Sequence, residues 1–215
     1  MNADRLRINE IFYSLQGEAD SVGWPTVFVR LTGCPLRCQY CDTEYAFHEG
    51  DWRTLDDVLG AVAAHAPRYV CVTGGEPLAQ KNCLTLLTRL CDAGYRVSLE
   101  TSGAIDIEPV DARAVRVLDV KTPGSGEERR NRLENLEDLR TSDVVKFVIC
   151  HRADYLWSLE FIATHRLEGR CQLFFSPSHE QLPARELADW MLADHAPVRL
   201  QVQLHKYLWG DVRGK

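Results

Sequence analysis

The stretch Thr26-Val27-Phe28-Val29-Arg30-Leu31-Thr32-Gly33-Cys34-Pro35-Leu36-Arg37-Cys38-Gln39-Tyr40-Cys41-Asp42-Thr43 decides the fold. Residues 26–32 are rich in β-branched and apolar side chains and read as a strand. Cys34, Cys38 and Cys41 follow at once, spaced C-x3-C-x2-C. Thiols this close together on one loop face a single metal centre. A structural zinc ion takes four closed ligands, and a ferredoxin-type cluster takes four cysteines. The next cysteine is Cys71, well outside the loop. Three ligands therefore suggest an iron–sulfur cluster with one iron left open, as a reacting site needs. Two other readings stand beside it: a zinc site with His48 as fourth ligand, and three thiols that are simply buried.

Working outward, β-like runs recur at residues 7–12, 68–73, 95–100, 114–120, 143–150, 171–176 and 198–204. Between most of them apolar residues fall at helical spacing. The stripes are Leu55, Val58, Leu59 and Val62; Leu84, Leu87, Leu90 and Cys91; Leu156, Leu159 and Ile162; and Leu187, Trp190 and Met191. Thr54 stands where an N-cap belongs, with Asp56 and Asp57 in the first turn. Strands alternating with helices predict βαβ units and a parallel sheet. At 215 residues the chain is short for a closed eight-fold barrel of about 250. The expected class is α/β, a partial, open (β/α) barrel forming one domain over residues 1–215, with a flat doubly wound sheet as the other option. In both, ligands gather at the C-terminal ends of the strands.

Composition narrows the function. Lysine and arginine number 25 against 31 acidic residues, a net charge of −6, and 45% of residues are hydrophobic. That excludes a disordered tail protein and argues against a nucleic-acid partner. No apolar run approaches the ~18 residues of a spanning helix, so no membrane association is expected. Residues 1–10 are polar and lack the apolar run of a signal peptide. Eight cysteines in such a chain are not expected to form a disulfide framework, which points to a reducing, cytoplasmic setting. Cys71, Cys83, Cys91, Cys150 and Cys171 read as small buried hydrophobes.

Polar residues mark the other strand ends: Thr73-Gly74-Gly75-Glu76-Pro77, Glu100-Thr101-Ser102-Gly103, Asp119-Val120-Lys121 and Ser176-Pro177-Ser178-His179. Each also has a plain structural reading as a turn, a helix cap or a surface lysine. Arg30 is a charge inside an apolar strand and needs an anionic partner. Glu100 is one option, and a substrate carboxylate held by the guanidinium fork is the other. In the last run Gln201, Gln203 and His205 alternate with Val202 and Leu204, either as a solvent-facing edge or as the wall of a polar cavity.

The cysteine spacing, with Tyr40 before the last cysteine, resembles the signature of radical S-adenosylmethionine (SAM) enzymes. Further stretches make the resemblance narrower: Asn9-Glu10-Ile11-Phe12, Ser14-Leu15-Gln16-Gly17-Glu18, Arg30, Cys41-Asp42-Thr43 and Leu204-His205-Lys206-Tyr207. Together they resemble the 7-carboxy-7-deazaguanine synthase family over residues 8–208. The resemblance implies that Cys34, Cys38 and Cys41 hold a 4Fe-4S cluster whose open iron is chelated by SAM. It implies Mg2+ on Thr43, and a pterin substrate bound by Leu15, Gln16, Gly17, Arg30, Thr73 and His205. It places Tyr40, Cys41, Asp42, Gly75, Glu76, Ser102, Lys121 and Ser176 around SAM.

The implied reaction turns 6-carboxy-5,6,7,8-tetrahydropterin into 7-carboxy-7-deazaguanine. A SAM-derived radical abstracts hydrogen, the ring contracts and ammonia leaves, in queuosine and 7-deazapurine biosynthesis. A flavodoxin-like electron donor and a homodimer are implied partners. The alternatives are a glycyl-radical-enzyme activase of the same superfamily and a non-catalytic zinc-binding module. Two departures are visible. Ala19 stands where members often have glycine, and the chain runs on past Lys206 for nine residues.

Overall fold

Apolar residues at alternate positions give a strand one face for a helix layer and another for whatever the strand ends enclose. In the computed structural model, which describes residues 4–215, this pattern produces nine strands and five α-helices. In chain order they are β1 (Arg5–Leu15), β2 (Pro25–Leu31), β3 (Asp51–Thr54), α1 (Leu55–Ala63), β4 (Tyr69–Gly74), α2 (Asn82–Asp92) and β5 (Arg96–Thr101). Then come β6 (Val115–Val120), β7 (Val144–Ile149), α3 (Arg152–Thr164), β8 (Gln172–Pro177), α4 (Ala184–Ala193), β9 (Arg199–Leu200) and α5 (Leu204–Trp209). One sheet carries all nine strands in the order β3-β1-β2-β4-β5-β6-β7-β8-β9. The β3–β1 and β1–β2 pairs are antiparallel, and every pair from β2–β4 onward is parallel. The sheet does not close, so the open α/β architecture is the observed one.

The two faces are sorted residue by residue. Val27, Val29 and Leu31 of β2, Val72 of β4, Leu99 of β5, Leu118 of β6, Phe147 of β7 and Phe175 of β8 join one buried apolar cluster with the helices. The Phe147 ring meets Phe161 at 5.7 Å and Phe175 at 5.6 Å. Thr54 caps α1 as expected. Its side chain accepts from the Asp57 N–H at 3.1 Å, and the Asp57 carboxylate accepts from the Thr54 N–H at 3.2 Å, a reciprocal capping box. The alternate residues of the same strands, Phe28, Arg30, Thr73, Glu100, Asp119, Lys146 and Ser176, turn to the other face and line a cavity.

One strand escapes the sequence pattern, and two expectations are corrected. The edge strand β3 was not legible, because Asp51-Trp52-Arg53-Thr54 has no apolar alternation; pairing with Arg5–Ile8 of β1 makes it a strand. In α3 the buried side is Tyr155, Ser158, Phe161 and Ile162, while Leu156 is 51% exposed. Aromatic rings from this helix fill the space over Phe147 and Phe175 better than the leucine stripe would. Finally, the expected last strand ends at Leu200, and Leu204 begins a helix. Alternation of Gln201, Gln203 and His205 imitates a period of two, but the Leu204 N–H donates to the Gly17 carbonyl at 3.1 Å, not to a strand.

Candidate active site

Two glycines let the loops after β2 and β4 close on each other. Gly74 sits at φ +154°, and a Cβ on Gly75 would lie 2.8 Å from the Cβ of Cys34. The Gly75 N–H donates to the Leu31 carbonyl at 3.2 Å, and the Glu76 N–H to the Gly33 carbonyl at 2.8 Å. The cysteine loop is thereby held against the C-terminal ends of the parallel strands. Cys34, Cys38 and Cys41 are unpaired and half-buried, and all three line a cavity of about 330 Å³.

The donor set fits a cluster better than a single ion. Two sulfurs on one zinc ion stand at most about 4.6 Å apart, given Zn–S bonds of about 2.3 Å. Among the described residues, the one group of three ligand side chains converging within 4.8 Å is the exposed set His179, Glu180 and Asp211, not the three cysteines. His48 is exposed and does not line the cavity, so it does not complete a zinc site. Burial pushes all three thiols above their ordinary value. They are not activated nucleophiles; a bound metal would displace their protons.

Every residue expected at the site lines this cavity except Glu76. Glu76 is corrected to an internal brace. Fully buried, its carboxylate accepts from the Leu78 N–H at 3.0 Å, the Thr101 hydroxyl at 2.9 Å and the Ser102 N–H at 2.7 Å. It ties the ends of β4 and β5 together. Gly17 is packed under the His205 ring: a Cβ there would lie 3.0 Å from the imidazole Cγ. That contact joins the loop after β1 to helix α5.

Arg30 does not pair with Glu100. Its Nε donates to Glu10 Oε1 at 2.8 Å across the β1–β2 register. Among the described residues its terminal guanidinium nitrogens have no hydrogen-bond partner. The fork is therefore available to an anion in the cavity. Thr43 donates its hydroxyl to Asp42 Oδ1 at 2.7 Å, while Asp42 Oδ2 receives Gln203 Nε2 at 3.2 Å and lies 3.3 Å from Lys206 Nζ. Burial opposes the Asp42 charge, but Thr43, Lys206 and Gln203 outweigh it and hold the carboxyl at about 2.

The sequence reading gave no role to Glu18 or Lys146, which belong to a charged wall of the cavity. Lys146 Nζ lies 2.7 Å from Glu18 Oε2 and 3.8 Å from Asp119 Oδ2, and Lys121 Nζ lies 3.0 Å from Asp119 Oδ2 and 5.6 Å from the centre of the Tyr40 ring. Burial works against the Glu18 charge, but Lys146 and Gln203 outweigh it and lower its pKa. Glu100 goes the other way. Burial raises it, Lys146 only partly offsets this, and Glu18 adds repulsion. Its contacts are weak: Gln16 Nε2 at 3.5 Å and the Cys71 thiol at 3.7 Å. Among the described residues, Asp119 Oδ1 is buried without a hydrogen-bond partner. A signal for Lys146 was present, since it interrupts the apolar run Val144-Val145-Lys146-Phe147 as Arg30 interrupts its own.

Residues 28–121 match the family model of the radical SAM superfamily. A 7-carboxy-7-deazaguanine synthase from Chlorobaculum tepidum is 45% identical over 97% of each chain. Another, from Koribacter versatilis, is 42% identical over 95% of this chain and 97% of its own. The chain belongs to the 7-carboxy-7-deazaguanine synthase family. The solved structure of QueE from Escherichia coli shares the fold, with a TM-score of 0.77 at 23% identity, covering 94% of this chain and 95% of that one. As a radical SAM enzyme of the 7-carboxy-7-deazaguanine synthase family, the chain carries the three cysteines within the matched segment. Lys146, Ser176, Gln203, His205 and the C-terminal tail lie outside that segment and complete the cavity.

Proposed function

We propose that this chain converts 6-carboxy-5,6,7,8-tetrahydropterin to 7-carboxy-7-deazaguanine with loss of ammonia, a step of queuosine and 7-deazapurine biosynthesis. The observation that carries the reading is the meeting, in one cavity, of three cysteines with an open ligand set and a charged wall whose hydrogen bonds are incomplete. When bound, the 4Fe-4S cluster and SAM supply the one-electron chemistry. Cys34, Cys38 and Cys41 would hold the cluster, and Tyr40, Asp42, Gly75, Ser102, Lys121 and Ser176 would surround SAM.

The remaining residues bind and orient. Arg30 offers its free guanidinium fork to the pterin carboxylate, fixing which C–H of the substrate is presented. Thr43, with Asp42 beside it, would supply hard oxygen donors suited to Mg2+. Residues 15–17, Thr73 and His205 wall the ring. Glu100 and Asp119 offer acceptors that match the N–H groups of a tetrahydropterin, and satisfying them removes the cost of leaving buried polar groups unpaired.

The test is anaerobic incubation of the reconstituted enzyme with SAM, dithionite and the carboxypterin. Formation of 7-carboxy-7-deazaguanine is expected. SAM cleavage without that product, accompanied by a glycyl radical on a protein substrate, overturns the reading in favour of an activase. Arg30→Ala should raise the KM for the pterin while SAM cleavage persists. The proposal extends to a cytoplasmic homodimer that takes electrons from a flavodoxin-like donor; sedimentation and turnover with reduced flavodoxin in place of dithionite test both points.

A further inference from the structure

We propose that Gln201 is a positioning residue that fixes the shape of the substrate loop by clamping Ala19 in a left-handed backbone conformation. The inference rests on the reading of residues 15–17 as substrate-binding. Ala19 has φ +59° and is fully buried. Crowding of Cβ disfavours this region for every residue except glycine. The methyl group has a use, since it packs with Val117, Val144 and Phe174. The opposing force comes from one side chain. The Ala19 N–H donates to Gln201 Oε1 at 2.8 Å, and Gln201 Nε2 donates to the Ala19 carbonyl at 3.0 Å. Both polar groups of a buried residue are thus satisfied by a single amide, which is the chemistry a buried backbone requires.

Gln201 is itself anchored. Its N–H donates to the Phe175 carbonyl at 2.9 Å, and its carbonyl accepts from the Ser176 hydroxyl at 2.8 Å. The residue is 6% exposed. Its backbone therefore belongs to the end of β8, on the wall assigned to SAM, while its side chain holds the loop after β1, on the substrate side. Glu18, directly before Ala19, depends on that hold to keep its carboxylate on Lys146 at 2.7 Å and Gln203 at 2.9 Å. With the amide removed, two buried peptide groups lose their partners and an alanine has nothing to keep it left-handed. The loop then relaxes and carries Glu18 away from the wall.

The experiment compares Gln201→Leu, Ala19→Gly and the double variant. Gln201→Leu is expected to raise the KM for the carboxypterin about tenfold, the scale of two lost buried hydrogen bonds at the low end of their range, with the KM for SAM within about twofold. Hydrogen exchange in the peptide spanning residues 16–20 should quicken while peptides from β4 to β7 keep their rates. Ala19→Gly should recover part of the loss in the Gln201→Leu background beyond its effect in the wild type; the lost methyl group cancels in that cycle. If Gln201→Leu does not fold, Gln201→Glu, which keeps the acceptor and loses the donor, gives the same local readouts. An unchanged pterin KM with unchanged exchange in residues 16–20 overturns the proposal. So does a uniform loss of stability with no split between the two KM values. Failure of the wild type to form product would instead overturn the function itself, while the exchange measurement still reports on the clamp.

Discussion

Two clusters of buried charge lie on opposite faces of the same sheet. Arg116 of β6 and Asp143, just before β7, are 1% and 0% exposed, on the helix side. Asp143 accepts the Arg116 N–H at 3.0 Å and its Nη2 at 2.6 Å, together with the Arg140 N–H at 2.9 Å; Arg116 also reaches the Ile107 and Asp138 carbonyls. This pair is closed. The cavity cluster sets three carboxylates, Glu18, Glu100 and Asp119, against two ammonium groups, Lys121 and Lys146. It leaves Asp119 Oδ1 unpartnered and Glu100 only weakly bonded. Hydrogen bonds to both carboxylate oxygens mark a structural pair, whereas incomplete satisfaction at a cavity wall marks a surface shaped for a ligand.

The largest effect should come from breaking the closed pair. Asp143→Ala leaves Arg116 buried and uncompensated, a loss of about 3–5 kcal/mol. At about 2–4 °C per kcal/mol, Tm falls by roughly 10 °C in calorimetry. The pterin KM of the folded fraction should not change, because neither residue lines the cavity. A changed KM with an unchanged Tm would reverse the roles of the two clusters.

Lys146→Met should do the opposite. It strips Glu18 of its 2.7 Å partner, and kcat/KM should fall about a hundredfold, equivalent to about 2.7 kcal/mol. The Tm drop should stay well below that of Asp143→Ala, since water entering the cavity can resolvate Glu18. Steady-state kinetics beside a melting curve decides it.

The contrast also explains what the sequence made legible. Alternating apolar residues and strand-end polar residues located the sheet and the cavity rim, because period and position are local properties. The cysteine spacing brought three free thiols to that rim for the same reason. Lys146 and Arg30 announce themselves as charges in apolar runs, but their partners Glu18 and Glu10 come from β1 and the loop after it, brought close only by the fold. Glu76 was misread because GGEP at a strand end looks the same whether its carboxylate faces a ligand or, as here, Thr101 and Ser102. Helix α5 was missed because its anchors, Gly17 and His205, meet through packing and not through any nearby cap signal.

Glu100→Gln tests whether the open cluster trades stability for binding. The folded-state pKa of Glu100 lies above its ordinary 4.5, so the folded protein holds that proton more tightly than the unfolded chain does. Ionised Glu100 therefore costs stability once pH rises above 4.5, and the cost is absent below it. The variant should melt about 2–4 °C higher at pH 7, corresponding to about 1 kcal/mol. The gain should vanish as pH falls to 4.5, while kcat/KM drops about tenfold. A lower Tm at pH 7 would mean that Glu100 is already satisfied and that the cluster is closed like Arg116–Asp143.

The smallest effect belongs to the tail, where a charge pair is exposed instead of buried. Arg213 donates from Nε to Glu10 Oε2 at 3.2 Å and from Nη1 to Glu49 Oε2 at 2.9 Å, and it lies 4.1 Å over the Tyr45 ring. Glu10 is thus shared between Arg30 inside the cavity and Arg213 at its mouth. Because the Arg213 side chain is 46% exposed, solvent weakens these bonds, and Arg213→Ala should raise the pterin KM only about threefold. Removing it frees Glu10 to bind Arg30 more tightly, so the loss should appear in KM and leave kcat unchanged. The difference from wild type should shrink when salt is raised toward ~0.5 M, where exposed pairs are screened and buried ones are not. A salt-independent loss of the same size would move Arg213 from the cavity mouth into the buried cluster.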